Sequence, residues 1–346
     1  MRNFHWFFSL VFFVLLFSCS KDETLLEGET PPKFAYIVTK DKPNSLQLVE
    51  FPLLKVIDED IFFSVNKKRL DEISQIVEYR GFIYIFQKNS CKITIATSDS
   101  LKFVAELEWK AENYKPSSIA FVNATTGFIS FQDSSLIYVL DLTNFKVARK
   151  INTNFPISFL DNVNFYVLGL SFYSGNLTIL DSRTYSVLNE VFIGDNPLAY
   201  GFSAEKNSIF ILCVGKGKLD TNQTKTNAKL IVLNYPNFSK ISEADLNIGS
   251  ISAQTIVPTG IVVHGKYYGL ISTLSGLLRF SVSNPKQVQR YIVGEFHNIF
   301  YDYKRDQIIA LSKASTTTTI YYINPNNSAI VSKMTLNKDI LLVFPK

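Results

Sequence analysis

Seven times along the chain an apolar run closes on a short polar turn, and a second apolar run answers it. The runs that enter these turns are SLQLVEF (45–51), CKITIATSDS (91–100), LIYVLDLTN (136–144), NLTILDSRT (176–184), KLIVLNYPN (229–237), LLRFSVSNP (277–285) and TIYYINPNN (319–327). Aligned at Glu50, Thr97, Asp141, Asp181, Asn234, Ser281 and Asn324, they are separated by 47, 44, 40, 53, 47 and 43 residues. A repeat of this length built only of strand-like runs cannot bury both faces of its own small sheet, so successive copies must stack around an axis. The predicted fold is all-β, a seven-bladed β-propeller spanning residues 33–346.

The fourth repeat shows the internal plan. Residues 158–160, 165–171, 176–181 and 187–193 read as four strands joined by tight turns, rich in the Val, Ile, Phe and Tyr that a sheet packed on both faces requires. The first repeat, starting near Phe34, lacks an innermost strand, while residues 340–346 (ILLVFPK) form an apolar run with no repeat of their own. The C-terminal strand is therefore expected to complete the N-terminal blade and cover an otherwise open edge.

Ahead of the repeats, Arg2 precedes an apolar run over residues 7–17 that is short for a bilayer-spanning helix and leads into Leu16-Phe17-Ser18-Cys19. Residues 1–18 read as a lipoprotein signal peptide, and residues 19–32 as a lipidated Cys19 followed by a flexible tether. The acyl chains on Cys19 would anchor the protein stably to a membrane. Without residues 1–18 the chain carries 34 Lys plus Arg against 30 Asp plus Glu, a balance that does not point to nucleic acid. Cys91 and Cys213 read as buried single thiols inside strands, since a disulfide framework would show more cysteines at closer spacing.

These residues carry two resemblances. Residues 175–212, with a strand ending in Asp181 and a following strand ending in Gly194-Asp195-Asn196-Pro197, resemble the YVTN-type propeller repeat. Residues 36–40, 65–86 and 137–151 resemble a family of propeller lipoproteins of the Bacteroidetes group, and Ser20-Lys21-Asp22-Glu23 resembles the acidic export signal of surface lipoproteins in that group. Repeats six and seven depart from the pattern, at Phe280-Ser281 and at Glu295-Phe296-His297. The resemblance implies a lipid-anchored outer-membrane protein facing the cell exterior. Some members of the wider group capture cobalamin or an iron siderophore for a TonB-dependent outer-membrane transporter, an analogy that assigns no ligand here.

The chain has no Gly-x-Ser-x-Gly, phosphate-binding glycine loop, CxxC, His-x-x-x-His or His-Glu-x-x-His. No cofactor or metal is expected, and the acidic run at Asp58-Glu59-Asp60 lacks the spacing and glycine of a calcium loop. His264 reads as a hairpin-turn residue.

Candidate ligand contacts fall on the loops that cross from the outer strand of one blade to the inner strand of the next. These are residues 66–69 with Arg69, 109–114 with Trp109 and Tyr114, 152–155 with Phe155, 194–196 with Asp195 and Asn196, and 295–297 with Glu295 and His297. Hairpins at 132–133, 172–173 with Tyr173, 215–227 with Lys216 and Lys218, and at Thr273 share that face. Converging loops on a rigid scaffold are where such folds bind. The aromatic residues would offer flat apolar contact and the lysines an anion-attracting loop.

The leading expectation is a non-catalytic binding module for a small molecule, docking on an outer-membrane transporter. The alternatives are a lactonase- or lyase-type propeller enzyme, which would need Arg69, Asp195, Glu295 and His297 to converge, and an adhesin or protein-interaction scaffold.

Overall fold

The computed structural model describes residues 33–51, 55–217, 224–263 and 266–346. Residues 1–32, expected to hold a signal peptide, the lipidated Cys19 and a tether, lie outside the described residues, as do Lys218 and His264. Strands β1 (Phe34–Thr39), β2 (Lys42–Glu50) and β3 (Lys55–Asp58) lead to a short helix α1 (Ile61–Asn66). Blade two comprises β4 (Ile73–Tyr79), β5 (Phe82–Gln87), β6 (Lys92–Thr97) and β7 (Phe103–Glu108). Blade three comprises β8 (Pro116–Asn123), β9 (Thr126–Phe131), β10 (Ser134–Asp141) and β11 (Lys146–Asn152). Blade four holds β12 (Phe159–Val163), β13 (Tyr166–Ser171), β14 (Asn176–Asp181) and β15 (Ser186–Phe192), and blade five holds β16 (Pro197–Ser203), β17 (Ser208–Cys213), β18 (Lys229–Asn234) and β19 (Lys240–Asp245). Blade six follows with β20 (Pro258–Val262), β21 (Tyr268–Thr273), β22 (Gly276–Ser281) and β23 (Val288–Ile292). Blade seven has β24 (Glu295–Asp302), β25 (Gln307–Ala314), β26 (Thr317–Ile323) and β27 (Ile330–Leu336), and the chain ends in β28 (Ile340–Pro345).

Seven four-stranded antiparallel sheets result, arranged as a seven-bladed β-propeller. Blade one has the order β28-β1-β2-β3, with Ala35 opposite Pro345, Ile37 opposite Val343 and Val38 opposite Leu342. The C-terminal strand is thus the innermost strand of the N-terminal blade, as expected.

The residues that mark the repeat end the third strand of their blades, or follow it directly in the case of Asn324. Their chemistry builds the next turn. The Asp141 carboxylate accepts from the Thr143 N–H at 2.8 Å, Asp181 from the Arg183 and Thr184 N–H groups at 2.8 and 3.0 Å, and the Asn324 carboxamide from the Asn326 N–H at 2.8 Å. Four residues after the marker the backbone turns left-handed, with φ of 55° at Leu101, 51° at Phe145, 60° at Tyr185, 56° at Phe238 and 62° at Ser328. Such Asx turns let a short loop reverse the chain without orphaning its amides.

Prolines mark the other boundary. Pro116, Pro197 and Pro258 each occupy the first position of an innermost strand, where the missing N–H costs no ladder bond. The second residue, or in β24 the third, is bulged out of register in most innermost strands, at Ser74, Ser117, Leu198, Thr259, His297 and Leu341. Hydroxyls near this position fasten adjacent blades: Ser117 Oγ donates to the Ser158 carbonyl at 2.7 Å, Ser118 Oγ to the Leu160 carbonyl at 3.1 Å, and Thr259 Oγ1 to the Phe296 carbonyl at 2.8 Å.

Apolar clusters fill the wedges between blades. Phe86, Trp109, Phe131 and Tyr138 pack between blades two and three, and Leu170, Ile193, Cys213 and Ile231 between blades four and five. Two details differ from the sequence reading. The 66–69 crossing is entered from α1, which ends at Asn66, and Asp60 caps that helix by accepting from the Phe63 N–H at 3.2 Å, so part of the acidic run serves as a helix cap. Cys91 precedes β6 in a turn with φ of 52°, although it and Cys213 are buried free thiols as expected.

Removing residues 340–346 would expose the inner edge of β1 and strip Ile340 and Val343 from one inter-blade cluster. The truncated chain is expected to lose its cooperative thermal transition and elute as aggregate in size-exclusion chromatography, whereas a Lys346→Ala control should behave as wild type.

Candidate functional site

Because every inner strand starts where a crossing connection ends, all crossing connections reach one face, together with the hairpins between second and third strands. The Gly-Asp-x-Pro motif shows how such a corner is built. Gly194 has φ of 156°, and a Cβ there would lie 3.0 Å from Cys213 Sγ, so only glycine passes the chain this close to β17. Asp195 then accepts from Thr226 Oγ1 at 2.9 Å and pairs with Lys216 at 3.1 Å. Asn196, at φ 53°, donates its side-chain N–H to the Gly215 carbonyl at 3.2 Å, and Pro197 opens β16.

Most of the predicted contacts have structural partners. Trp109 is 4% exposed and meets Phe131 edge-on at 5.0 Å and Tyr138 at 6.3 Å, so it is a core residue and presents no ring at the surface. Tyr114 is half-buried against Phe131 at 5.3 Å. Phe155 is half-buried, and its carbonyl accepts from Thr153 Oγ1 at 2.8 Å. Tyr173 is 83% exposed, braced edge-on by Phe172 at 5.3 Å, and of the predicted aromatic residues it alone stands free on the face.

The four polar residues proposed as an enzyme centre occupy three places. Arg69 stacks over Phe63 at 4.8 Å between blades one and two, Asp195 is tied to Lys216 between blades four and five, and Glu295 lies 3.8 Å from His297 on blade seven. The last two residues sit at the start of β24, where the sequence reading placed a crossing loop. Burial and the neighbouring Lys313 ammonium hold the His297 imidazole below its usual pKa, which favours its neutral form.

A slot of about 610 Å³ opens beside these loops, between the outer halves of blades four and five. It runs from Asp195 and Thr226 at the loop face to Phe238 at the opposite end of the blade. Ile193, Cys213, Ile231 and Leu233 make an apolar floor, and Phe192, 63% exposed, forms one lip. The other lip is ionic but neutralised. Glu243 accepts from Lys229 at 3.0 Å and Lys240 at 2.9 Å, and those two hydrogen bonds lower its carboxyl pKa to about 2. The stability this site adds is present above the ordinary carboxylate value and is lost as pH falls toward 2.

Sequence reasoning found Asp195 at the end of this slot and missed Phe192, Lys229, Lys240 and Glu243. One signal was available. Val191 and Phe192 are consecutive apolar residues on an outer strand, and both are exposed, whereas strict alternation would have buried one of them.

Two consequences are measurable. Trp109→Ala should destabilise the fold by about 3–5 kcal/mol, and in protein lacking residues 1–32, where Trp109 is the sole tryptophan, its emission should be blue-shifted until the fold melts. Burial pushes the Cys213 thiol up to about 12, so Cys213 should resist aromatic-disulfide thiol reagents in the native state and react on unfolding.

No protein-family model matches the chain, and no curated protein sequence matches it. Solved structures do. The Neurospora crassa Pan2 WD40 domain is 12% identical with a TM-score of 0.58, over 81% of this chain and 85% of that one. The dihydro-heme d1 dehydrogenase NirN, solved in complex with DHE, is 9% identical with a TM-score of 0.60, over 90% and 66%. The computationally designed Ika8 protein is 9% identical with a TM-score of 0.58, over 90% and 89%. At these identities the similarity establishes the fold, and the chain is a seven-bladed β-propeller.

Proposed function

We propose that this protein is a non-catalytic binding lipoprotein of the outer membrane, held at the cell exterior by lipid on Cys19, that captures a small nutrient and delivers it to an outer-membrane transporter. The observation that carries the binding reading is the slot between blades four and five. Its volume of about 610 Å³ falls within the range that small-molecule sites occupy. An apolar floor, an exposed phenyl lip and a rim of mutually neutralised charges suit an amphipathic, ring-bearing ligand without strong net charge.

That chemistry discriminates between the nutrient classes considered above. A polyanionic siderophore would have to compete with Asp195 for Lys216 and with Glu243 for Lys229 and Lys240. An uncharged ring-bearing ligand leaves those pairs intact. The non-catalytic reading is supported by the separation of Arg69 and Asp195 from the Glu295–His297 pair, each engaged by a different local partner.

A thermal-shift screen against cobalamins, ferric siderophores, haem and oligosaccharides tests the reading. A ligand at 100 times its Kd stabilises by about 2.7 kcal/mol, which moves the melting temperature by a few degrees in a domain of this size. For any hit, Phe192→Ala should weaken binding about five-fold or more with little loss of stability, and Tyr173→Ala should leave it unchanged. The reverse pattern would move the site to the loop face, and a flat screen would favour a protein partner.

A further inference from the structure

A second opening lies on the face opposite the crossing loops, in the wedge between blades five and six. There a groove of about 400 Å³ runs between the turn that joins β16 to β17 and the turn that joins β22 to β23. Val232 and Val282, both buried in the cluster that these blades share, form its floor, and Ile241, 56% exposed on β19, makes an apolar lip. Lys206 lines it from the first turn and Lys286 from the second.

The charges of this groove are unlike those elsewhere on the molecule. Both lysines that line the slot between blades four and five have a carboxylate, since Lys229 and Lys240 meet Glu243. On the groove's own face Lys266 pairs with Glu205 at 3.2 Å, Lys304 with Glu78 at 2.8 Å and Arg305 with Asp302 at 3.0 Å. Lys206 and Lys286 form no ion pair among the described residues, and no carboxylate lines the groove. Glu205, the neighbour of Lys206 in the chain, is already held by Lys266. The neutral groups are uncommitted too: the hydroxyls of Ser242 and Ser283 and the carboxamide of Asn284 have no hydrogen-bond partner among the described residues.

The backbone that carries these groups is tied down. Ser203 Oγ accepts from the Lys206 N–H at 3.4 Å, Ser208 Oγ donates to the Lys206 carbonyl at 2.9 Å, and the Asn207 carbonyl accepts from the Tyr235 N–H at 2.8 Å. In the facing turn the Asn284 N–H donates to the Ser281 carbonyl at 3.2 Å, and the Asn284 carbonyl accepts from the Gln287 N–H at 2.9 Å. Two ammonium groups and three neutral donors therefore share one apolar groove without an anion of the protein's own. Turns already braced in this way need little further ordering to receive one.

We propose that this groove binds a phosphate monoester carried on an apolar stem, with the phosphate between Lys206 and Lys286 and the stem along Val232, Val282 and Ile241. A tetrahedral oxyanion presents enough acceptor oxygens to engage ammonium groups as point charges and hydroxyls as directional donors together. A carboxylate has only two oxygens for the same set. The stem explains the apolar floor, which inorganic phosphate would leave in water. A soluble alkyl phosphate and the headgroup of a phosphatidic acid both present this chemistry.

The test is calorimetric titration of the protein with n-hexyl phosphate at constant ionic strength, with inorganic phosphate and n-hexanol as controls. Wild type should bind one equivalent of hexyl phosphate, more tightly than inorganic phosphate, and show no saturable binding of hexanol. Lys206→Ala and Lys286→Ala should each weaken binding about ten-fold, as loss of a charge-assisted hydrogen bond does, and leave the melting temperature unchanged. Lys304→Ala, on the same face but outside the groove, should bind as wild type does. Sedimentation with phosphatidylcholine vesicles containing phosphatidic acid separates the two sources, with pure phosphatidylcholine vesicles as the baseline. Retention above that baseline by wild type, and not by the double variant Lys206→Ala/Lys286→Ala, assigns the ligand to a lipid headgroup; calorimetric binding without such retention assigns it to a soluble ester. Binding that the groove variants leave unchanged or that Lys304→Ala weakens equally, or no saturable binding of hexyl phosphate and no extra retention, overturns the proposal. The groove shares no residue with the slot, so Phe192→Ala should leave this titration unchanged.

Discussion

The pairing of β28 with β1 is the constraint on which the molecule depends. A ring of blades has no first or last interface, yet a chain has two ends, and here the ends meet as neighbouring strands of one sheet. The same strand serves two interfaces. Ile340 and Val343 pack toward blade seven, while Leu341, Leu342 and Phe344 pack against the cluster shared with blade two. Burying each such side chain contributes about 1.5–3 kcal/mol, so the closure is held by side-chain packing as much as by the backbone ladder. Every other interface assumes that this one has formed, because an open arc would leave wedge-shaped gaps between the sheets.

Much of this was legible in the sequence because the repeat is written in turn chemistry. Asp141, Asp181 and Asn324 recur where a side-chain oxygen must catch the amides of a tight loop, and Pro116, Pro197 and Pro258 recur where an inner strand can do without an N–H. The same local logic explains the failures. Residues 61–66 fall between the repeat runs, and the helix they form is announced only by the cap at Asp60. Trp109 lies in a crossing loop by register, yet its ring turns inward to fill the wedge beside Phe131 and Tyr138. Position along the repeat sets the face on which a backbone emerges; it does not set the direction in which a side chain folds back.

The slot was illegible for a related reason. It arises from the distance between two sheets, and its lining comes from β15, β18 and β19, whose side chains are separated by tens of residues in the chain. Repeat alignment compares equivalent positions in different blades and is blind to what faces what across a wedge. The loop face, by contrast, carried the sequence signals usually taken for binding, and there the polar groups largely satisfy one another: Asp195 with Lys216 and Thr226, Asn196 with Gly215, Glu190 with Asn154 and Thr178. A loop that has spent its hydrogen bonds on its own fold has fewer to offer a ligand.

The wall of the slot reaches the axis of the ring, and that continuity has a physical consequence. The cluster between blades four and five includes Tyr200 at the channel end and Ile193, Cys213, Ile231 and Leu233 at the slot end. Protein interiors are close-packed and transmit displacement, so a ligand that spreads the slot presses on the side chains that seat Tyr200. The hydroxyl bridges that fasten blade three to blade four and blade six to blade seven at the axis, through Ser117, Ser118 and Thr259, have no counterpart at the same position of blade four, where Ser158 Oγ donates at 2.9 Å to the Leu170 carbonyl of its own blade. The interface that carries the slot is therefore held there by the apolar contacts of its cluster, and apolar contact, being non-directional, tolerates small changes in spacing that a hydrogen bond does not.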